Sequence, residues 1–204
     1  RKLNVALDFL DKDKKYELLK DDYKEVYRFK LYRIRALKDF GDVKKGEVGG
    51  YIEKEENLSQ KNTCWVYEEA RVFGSAEVYG EAEICDEAKI YGEAKIFEKA
   101  RVFGETRVFD KAKVYGKAIV YGEAEICGEA EIKSLQDYIV FKNNWSSGRY
   151  FTWTRNNDMW KVGCFYGTGK ELIEQAYKDS ELSGDMYKMH VEFVEKIKER
   201  LKEK

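Results

Sequence analysis

The sequence predicts a mainly β fold, a coil of short parallel strands flanked by two smaller modules, and three observations predict it. First, a β-branched residue recurs at every sixth position: Val66, Val72, Val78, Ile84, Ile90, Ile96, Val102, Val108, Val114, Val120, Ile126 and Ile132. Second, a small residue stands two positions before each, from Cys64 and Ala70 through Thr106 to Ala124 and Ala130. Third, Gly74, Gly80, Gly92, Gly104, Gly116, Gly122 or Gly128 follows two positions after, with Asp86 and Asp110 at two equivalent sites.

Each hexad is therefore a strand and a corner. Side chains alternate across a strand, so the small and the branched residue share one face and the intervening charged residue takes the other. Glycine and aspartate tolerate left-handed backbone angles, which places the corner at their position. This pattern resembles the hexapeptide-repeat family, which implies a left-handed parallel β-helix of triangular section with about five coils. The resemblance is strong from Val66 to Ile132 and extends weakly back through Ile52 and Leu58, which keep the spacing before a two-residue insertion.

One departure from the family pattern stands out. The residue after the branched position is aromatic or cysteine: Tyr67, Phe73, Tyr79, Cys85, Tyr91, Phe97, Phe103, Phe109, Tyr115, Tyr121 and Cys127. At about 18 residues per coil these positions stack into three corner ladders. The aromatic-corner variant, with the entry segment Tyr32–Gly41 and then Gly49, Gly50, Tyr51, Ile52 and Glu53, resembles repeat proteins encoded by phages and prophages. That resemblance implies a host-interaction or anti-defence role, such as an anti-CRISPR protein, in the host cytoplasm.

The flanks divide the chain into 1–48, 49–133 and 134–204. Leu3 to Leu10 reads as a short helix, and Tyr16–Leu19 and Tyr27–Leu37 as a hairpin closing one end of the coil. Within the latter, apolar residues change phase between Leu31 and Tyr32, which suggests a bulge. Beyond Ile132 an aromatic hairpin is expected, Tyr150–Arg155 and Met159–Phe165, turning at Asn156, Asn157 and Asp158. Thr168 with Glu171 forms a capping box for a helix to about Lys178. A last helix over Asp185–Lys202 carries Tyr187, Val191, Val194, Ile197 and Leu201 on one face.

Composition excludes several classes. Among 204 residues no apolar run approaches the ~20 needed to span a bilayer, and Arg1–Leu10 carries no recognisable signal peptide, so cytosol is the expected compartment. A net charge of -1 gives no global pull toward nucleic acid or an anionic membrane. Cys64, Cys85, Cys127 and Cys164 form no metal-binding spacing, and no cofactor is expected.

The candidate chemistry is sparse. Acyltransferases of the family use a histidine on or near the coils, whereas these coils contain neither histidine nor loop insertion, and His190 on the last helix reads as a packing residue. The charge pattern is banded. Lys89, Lys95, Lys99, Arg101, Arg107, Lys111, Lys113 and Lys117 form a basic belt between acidic bands at Glu77, Glu81, Glu83, Asp86, Glu87 and at Glu123, Glu125, Glu129, Glu131. The belt is either an anion- or partner-binding girdle or a solvated surface whose vertical neighbours offset each other. Trp145, Trp153 and Trp160, with Tyr150, form a second candidate surface, expected mainly to cover the open end of the coil. Arg28, Lys30, Arg33, Arg35 and Lys38, interleaved with Tyr27, Phe29 and Tyr32, give a weak nucleic-acid-like pattern. The expected partners are a protein or a small anionic ligand, with self-association as dimer or trimer. Three functional classes follow: a non-catalytic binding protein, a transferase on an acyl or nucleotide-linked substrate, and a structural oligomer.

Overall fold

The computed structural model describes residues 14–202, so the helix expected over Leu3–Leu10 lies outside the described residues. Twelve two-residue strands run from β4 (Trp65–Val66) to β15 (Glu131–Ile132), one per hexad. They stack into three parallel sheets, and strands three apart in sequence are neighbours: β4 pairs with β7 (Glu83–Ile84), which pairs with β10 (Arg101–Val102) and then β13 (Ile119–Val120). The second side holds β6 (Glu77–Val78), β9 (Lys95–Ile96), β12 (Lys113–Val114) and β15; the third holds β5 (Arg71–Val72), β8 (Lys89–Ile90), β11 (Arg107–Val108) and β14 (Glu125–Ile126).

The inside and outside faces follow the alternation. The branched and small residues of the hexads, among them Ala88, Ile90, Ala100, Val102, Ala118 and Val120, are fully buried in one continuous core. The corners turn at positive φ, with Gly92 at 71° and Asp86 and Asp110 at 57°. A side chain on Gly92 would meet the Asp110 backbone nitrogen at 2.8 Å, so glycine is required there by proximity as well as by φ. Aromatic rings stack between coils: Phe73, Tyr91 and Phe109 lie 5.1 and 5.0 Å apart, and Tyr79, Phe97 and Tyr115 lie 5.0 and 4.9 Å apart.

The N-terminal end is closed as follows. β1 (Tyr16–Val26) and β2 (Phe29–Ala36) form a hairpin, and β2 pairs antiparallel with β3 (Val48–Ile52), which joins the third side through β5. The pairing is irregular on both edges of β2: against β1 the register shifts between Leu19 and Tyr23, opposite Arg33 and Tyr32, and against β3 it shifts between Arg33 and Arg35. The phase change in β2 falls at these irregularities, with one buried residue on one side of them and two on the other. Leu31 packs outward with Tyr51 and Phe73, while Ile34 and Ala36 enter the main core. The insertion after Leu58 has a use: Gln60 Oε1 accepts hydrogen bonds from the Lys15 and Tyr16 amides at 2.8 and 3.3 Å, anchoring β1 to the first coil.

At the other end, β16 (Tyr138–Lys142), β17 (Tyr150–Thr154), β18 (Met159–Val162) and β19 (Phe165–Gly167) form an antiparallel sheet. Two of these strands, β16 and β19, extend the hairpin expected from sequence. The sheet has two distinct faces. Toward the coil, Tyr138 and Val140 pack on the main core, Thr152 Oγ1 accepts from the Glu125 amide at 3.0 Å, and Asn156 Oδ1 accepts from the Glu131 amide at 2.9 Å. These side chains satisfy donors of the last coil that no further strand reaches.

Away from the coil, Phe151, Trp153, Trp160 and Val162 pack against α1 (Gly169–Asp179) and α2 (Glu181–Lys202). Thr168 and Glu171 form the expected capping box at the start of α1. Among the described residues no helix is long and apolar enough to cross a membrane.

Candidate functional site

The structure places the belt residues on the outside of the coil and holds five of the eight in ion pairs. Lys95 pairs with Glu77 at 3.3 Å, Lys99 with Glu81 at 3.3 Å, Arg101 with Glu83 at 2.8 Å, Arg107 with Glu125 at 2.8 Å and Lys113 with Glu131 at 3.0 Å. Every one of these pairs spans one coil, so each band neutralises the next. The Lys113 ammonium and the Tyr115 hydroxyl, both bonded to Glu131, hold its carboxyl below the usual carboxylate range.

Lys89, Lys111 and Lys117 make no ion pair within 4.0 Å among the described residues. They do not converge: Lys89 stands on the third side in register with Arg71 and Arg107, Lys111 precedes the strand β12 of the second side, and Lys117 lines the opposite corner with Lys99 and Glu98.

Trp153 and Trp160 are 1% exposed and belong to the core between sheet and helices, where Trp153 Nε1 donates to Asp158 Oδ1 at 2.8 Å. They cannot form a docking surface, and they cover the far side of the sheet from the coil. The physical reason is the alternation of β17 and β18, which turns the threonines and Lys161 toward the last coil and the large rings toward the helices. His190 lies on that far side too. Its ring stacks on Phe151 at 5.1 Å, and Nδ1 is 2.7 Å from the Met186 carbonyl oxygen. The four-stranded sheet separates it from the coils.

Trp145 alone of the three candidate tryptophans is exposed, at 77%, on the turn between β16 and β17. The helix α2 carries its own row of apolar side chains: Leu182, Met189 and Phe193 are 53%, 59% and 52% exposed, with Met186 half-buried beside them. Phe193 meets Phe141 edge-on at 5.8 Å, continuing this surface onto β16. Buried Tyr187, Val191 and Val194 occupy the opposite side of the same helix. Sequence reasoning named that buried stripe and missed the exposed one. Its signal was present: Leu182, Met186, Met189 and Phe193 are spaced by four, three and four, which is one face of a helix.

No family model matches the chain. One curated protein, "Uncharacterized acetyltransferase YdcK" of Escherichia coli (strain K12), is 44% identical over 45 residues. That stretch is 22% of this chain and 14% of the relative, so the chain spans about one seventh of the protein that it matches. The coil of parallel hexads fits a hexapeptide-repeat β-helix, and the resemblance to that relative is to a short portion of it.

Proposed function

We propose that this chain is a non-catalytic interaction protein that docks through its C-terminal module. The observation that carries the reading is the set of large apolar side chains this module leaves exposed, Leu182, Met189 and Phe193 along α2 and Trp145 on the turn between β16 and β17, with the module fixed to the coil. The belt supports the reading by contrast. Five of its eight bases are held in ion pairs one coil away, which weakens the local positive field that would draw an anion.

The test is affinity capture from the source cell with Trp145→Ala/Met189→Glu beside Lys111→Glu/Lys117→Glu. The apolar variant loses the bound partners and the belt variant keeps them. The reverse outcome moves the site to the belt.

A second reading is an acyltransferase, favoured by the 45-residue match to a protein named as an acetyltransferase. His190 is an unsuitable base for chemistry at the coil, so this reading draws its catalytic groups from another part of the protein or another chain. Acetyl-CoA turnover that survives His190→Ala, followed by release of the free thiol, would support it.

A further inference from the structure

Resting on the reading of the C-terminal module as the docking part of the chain, we infer that it docks through the open edge of β16, and that the occupant is an extended apolar segment of a partner protein, added as a fifth strand. The first argument is the backbone. β16 ends its four-stranded sheet and pairs with β17 alone. Asn143 N–H donates to the Arg149 carbonyl at 3.0 Å and Arg155 N–H to the Asp137 carbonyl at 2.8 Å, which fixes the parity of that pairing. Bonding alternates along an antiparallel ladder, so Ile139 and Phe141 bond to β17, and the N–H and C=O of Tyr138, Val140 and Lys142 point to the free edge. Among the described residues these outward groups have no hydrogen-bond partner. A row of alternating donors and acceptors is complementary to another extended backbone.

The second argument is that this edge is unguarded. β1 is broken by a register shift with Lys20, Asp21 and Asp22 at the break, and β19 is only three residues long. β16 runs Tyr-Ile-Val-Phe-Lys in unbroken register, with no proline and no charge before its last position. Both of its faces are apolar: Tyr138 and Val140 lie toward the coil, Ile139 and Phe141 toward α2, where exposed Phe193 stands beside Phe141. The Lys142 ammonium lies over the Tyr150 ring at 4.9 Å and has no carboxylate partner among the described residues. The segment that fits is therefore apolar through its middle and acidic beside Lys142.

The occupant is not a second copy of β16. Tyr138 and Val140 pack on the main core, and the Tyr138 hydroxyl donates to the Ile119 carbonyl at 3.2 Å, so β16 lies under the coil itself. A second β16 paired at this edge would bring its own coil onto the same face of the sheet, one strand spacing of ~4.8 Å away, where the first coil already stands. A tail or loop of a partner carries no such body.

A displayed library of short random peptides, selected on the full chain, supplies the probe, and the enriched peptides are synthesised with a fluorescent label. They should be apolar in the middle, lack proline, and slow hydrogen exchange at the Tyr138, Val140 and Lys142 amides, while the Ile139 and Phe141 amides, already bonded to β17, change little. Val140→Pro removes one outward N–H and no bond to β17, so the β-sheet spectrum is kept and affinity falls about tenfold. Lys142→Pro, at the exposed end of the strand, does the same and decides the matter if Val140→Pro fails to fold. Enrichment of no peptide overturns the inference, as does a selected peptide that wild type and the folded proline variants bind equally. If Trp145→Ala/Met189→Glu then loses its partners in the cell, docking through the module stands on its side chains and not on its edge. If that variant keeps its partners as well, both readings fall.

Discussion

Asp86 Oδ2 accepts a hydrogen bond of 2.8 Å from the amide of Gly104, eighteen residues further along the chain and directly above it in the next coil. Asp110 does the same for Gly128 at 3.0 Å, and Glu68 for Asp86 itself at 2.9 Å. At these corners the backbone cannot continue the strand ladder, and a carboxylate takes the place of the missing carbonyl. The aspartates thus serve both the left-handed turn and the contact between coils.

These two roles separate by substitution. Asp86→Ala removes the acceptor and leaves a β-carbon at φ 57°, and should cost about 1–3 kcal/mol. Asp86→Gly removes the same acceptor but relieves the backbone, and should cost less than half as much. Chemical denaturation of both variants decides; equal losses would show that the turn carries no strain.

The coil has an inside and an outside that differ by one residue. Val102 is fully buried, whereas its neighbour Arg101 is exposed and paired with Glu83. Val102→Asp places a charge in the stack and should cost about 3–5 kcal/mol or prevent folding. Arg101→Asp should cost at most about 1 kcal/mol. Comparable melting temperatures for the two would invert the assignment of faces.

On the second side of the coil, Glu77, Lys95, Lys113 and Glu131 form one column in register. Reversing Lys95 and Lys113 to Glu sets four carboxylates one above another. Thermal stability should fall by about 1 kcal/mol in low salt, and added salt should restore much of it. A belt whose bases were reserved for a ligand would show no such change.

Much of this was legible in the sequence because the repeat has a fixed circumference. Twelve branched residues at a spacing of six set the strands, the inner face and the aromatic ladders. The ion pairs were legible too, since Glu77 and Lys95 stand eighteen residues apart, one coil's length, as the reading of the belt as vertical neighbours that offset each other requires. The C-terminal module resisted because no period governs it. The strands β16 and β19 are short, and whether Trp153 faces a ligand or a helix depends on which side of the sheet the helices settle. The phase change in β2 was legible, since it coincides with irregular pairing against both β1 and β3.

The hairpin is clamped to the coil by Glu69, whose carboxylate accepts from Lys24 and, at 2.8 Å, from Arg33. These two partners hold its pKa below the ordinary glutamate value. A depressed carboxyl adds stability that is complete above the unfolded-state pKa and is lost as pH falls through the lower folded value. Hydrogen exchange in β1 and β2 should therefore quicken below pH 4 relative to the coil strands. Glu69→Gln should show the fast exchange already at neutral pH. If exchange in the hairpin follows the coil at every pH, the clamp contributes nothing.

The four cysteines differ in burial, and this gives a chemical test of the coil's packing. Burial pushes the thiols of Cys85 and Cys127 up to about 12 and also raises that of Cys64, which lies against the ammonium of Lys15 at 3.3 Å. The thiolate is the reactive form, so at pH 8 an alkylating reagent meets about one thiolate in ten thousand at Cys85 or Cys127. Cys164 is exposed on the turn between β18 and β19. The native protein should take up one equivalent of iodoacetamide, located by peptide mass at Cys164, and the remaining three only after denaturation. Val102→Ala opens a cavity in the core stack beneath Cys85, whose amide donates to the Val102 carbonyl at 2.9 Å. That variant should accelerate labelling at Cys85 before it changes labelling at Cys127. Uniform acceleration at both would mean that the coils open as one cooperative unit rather than locally.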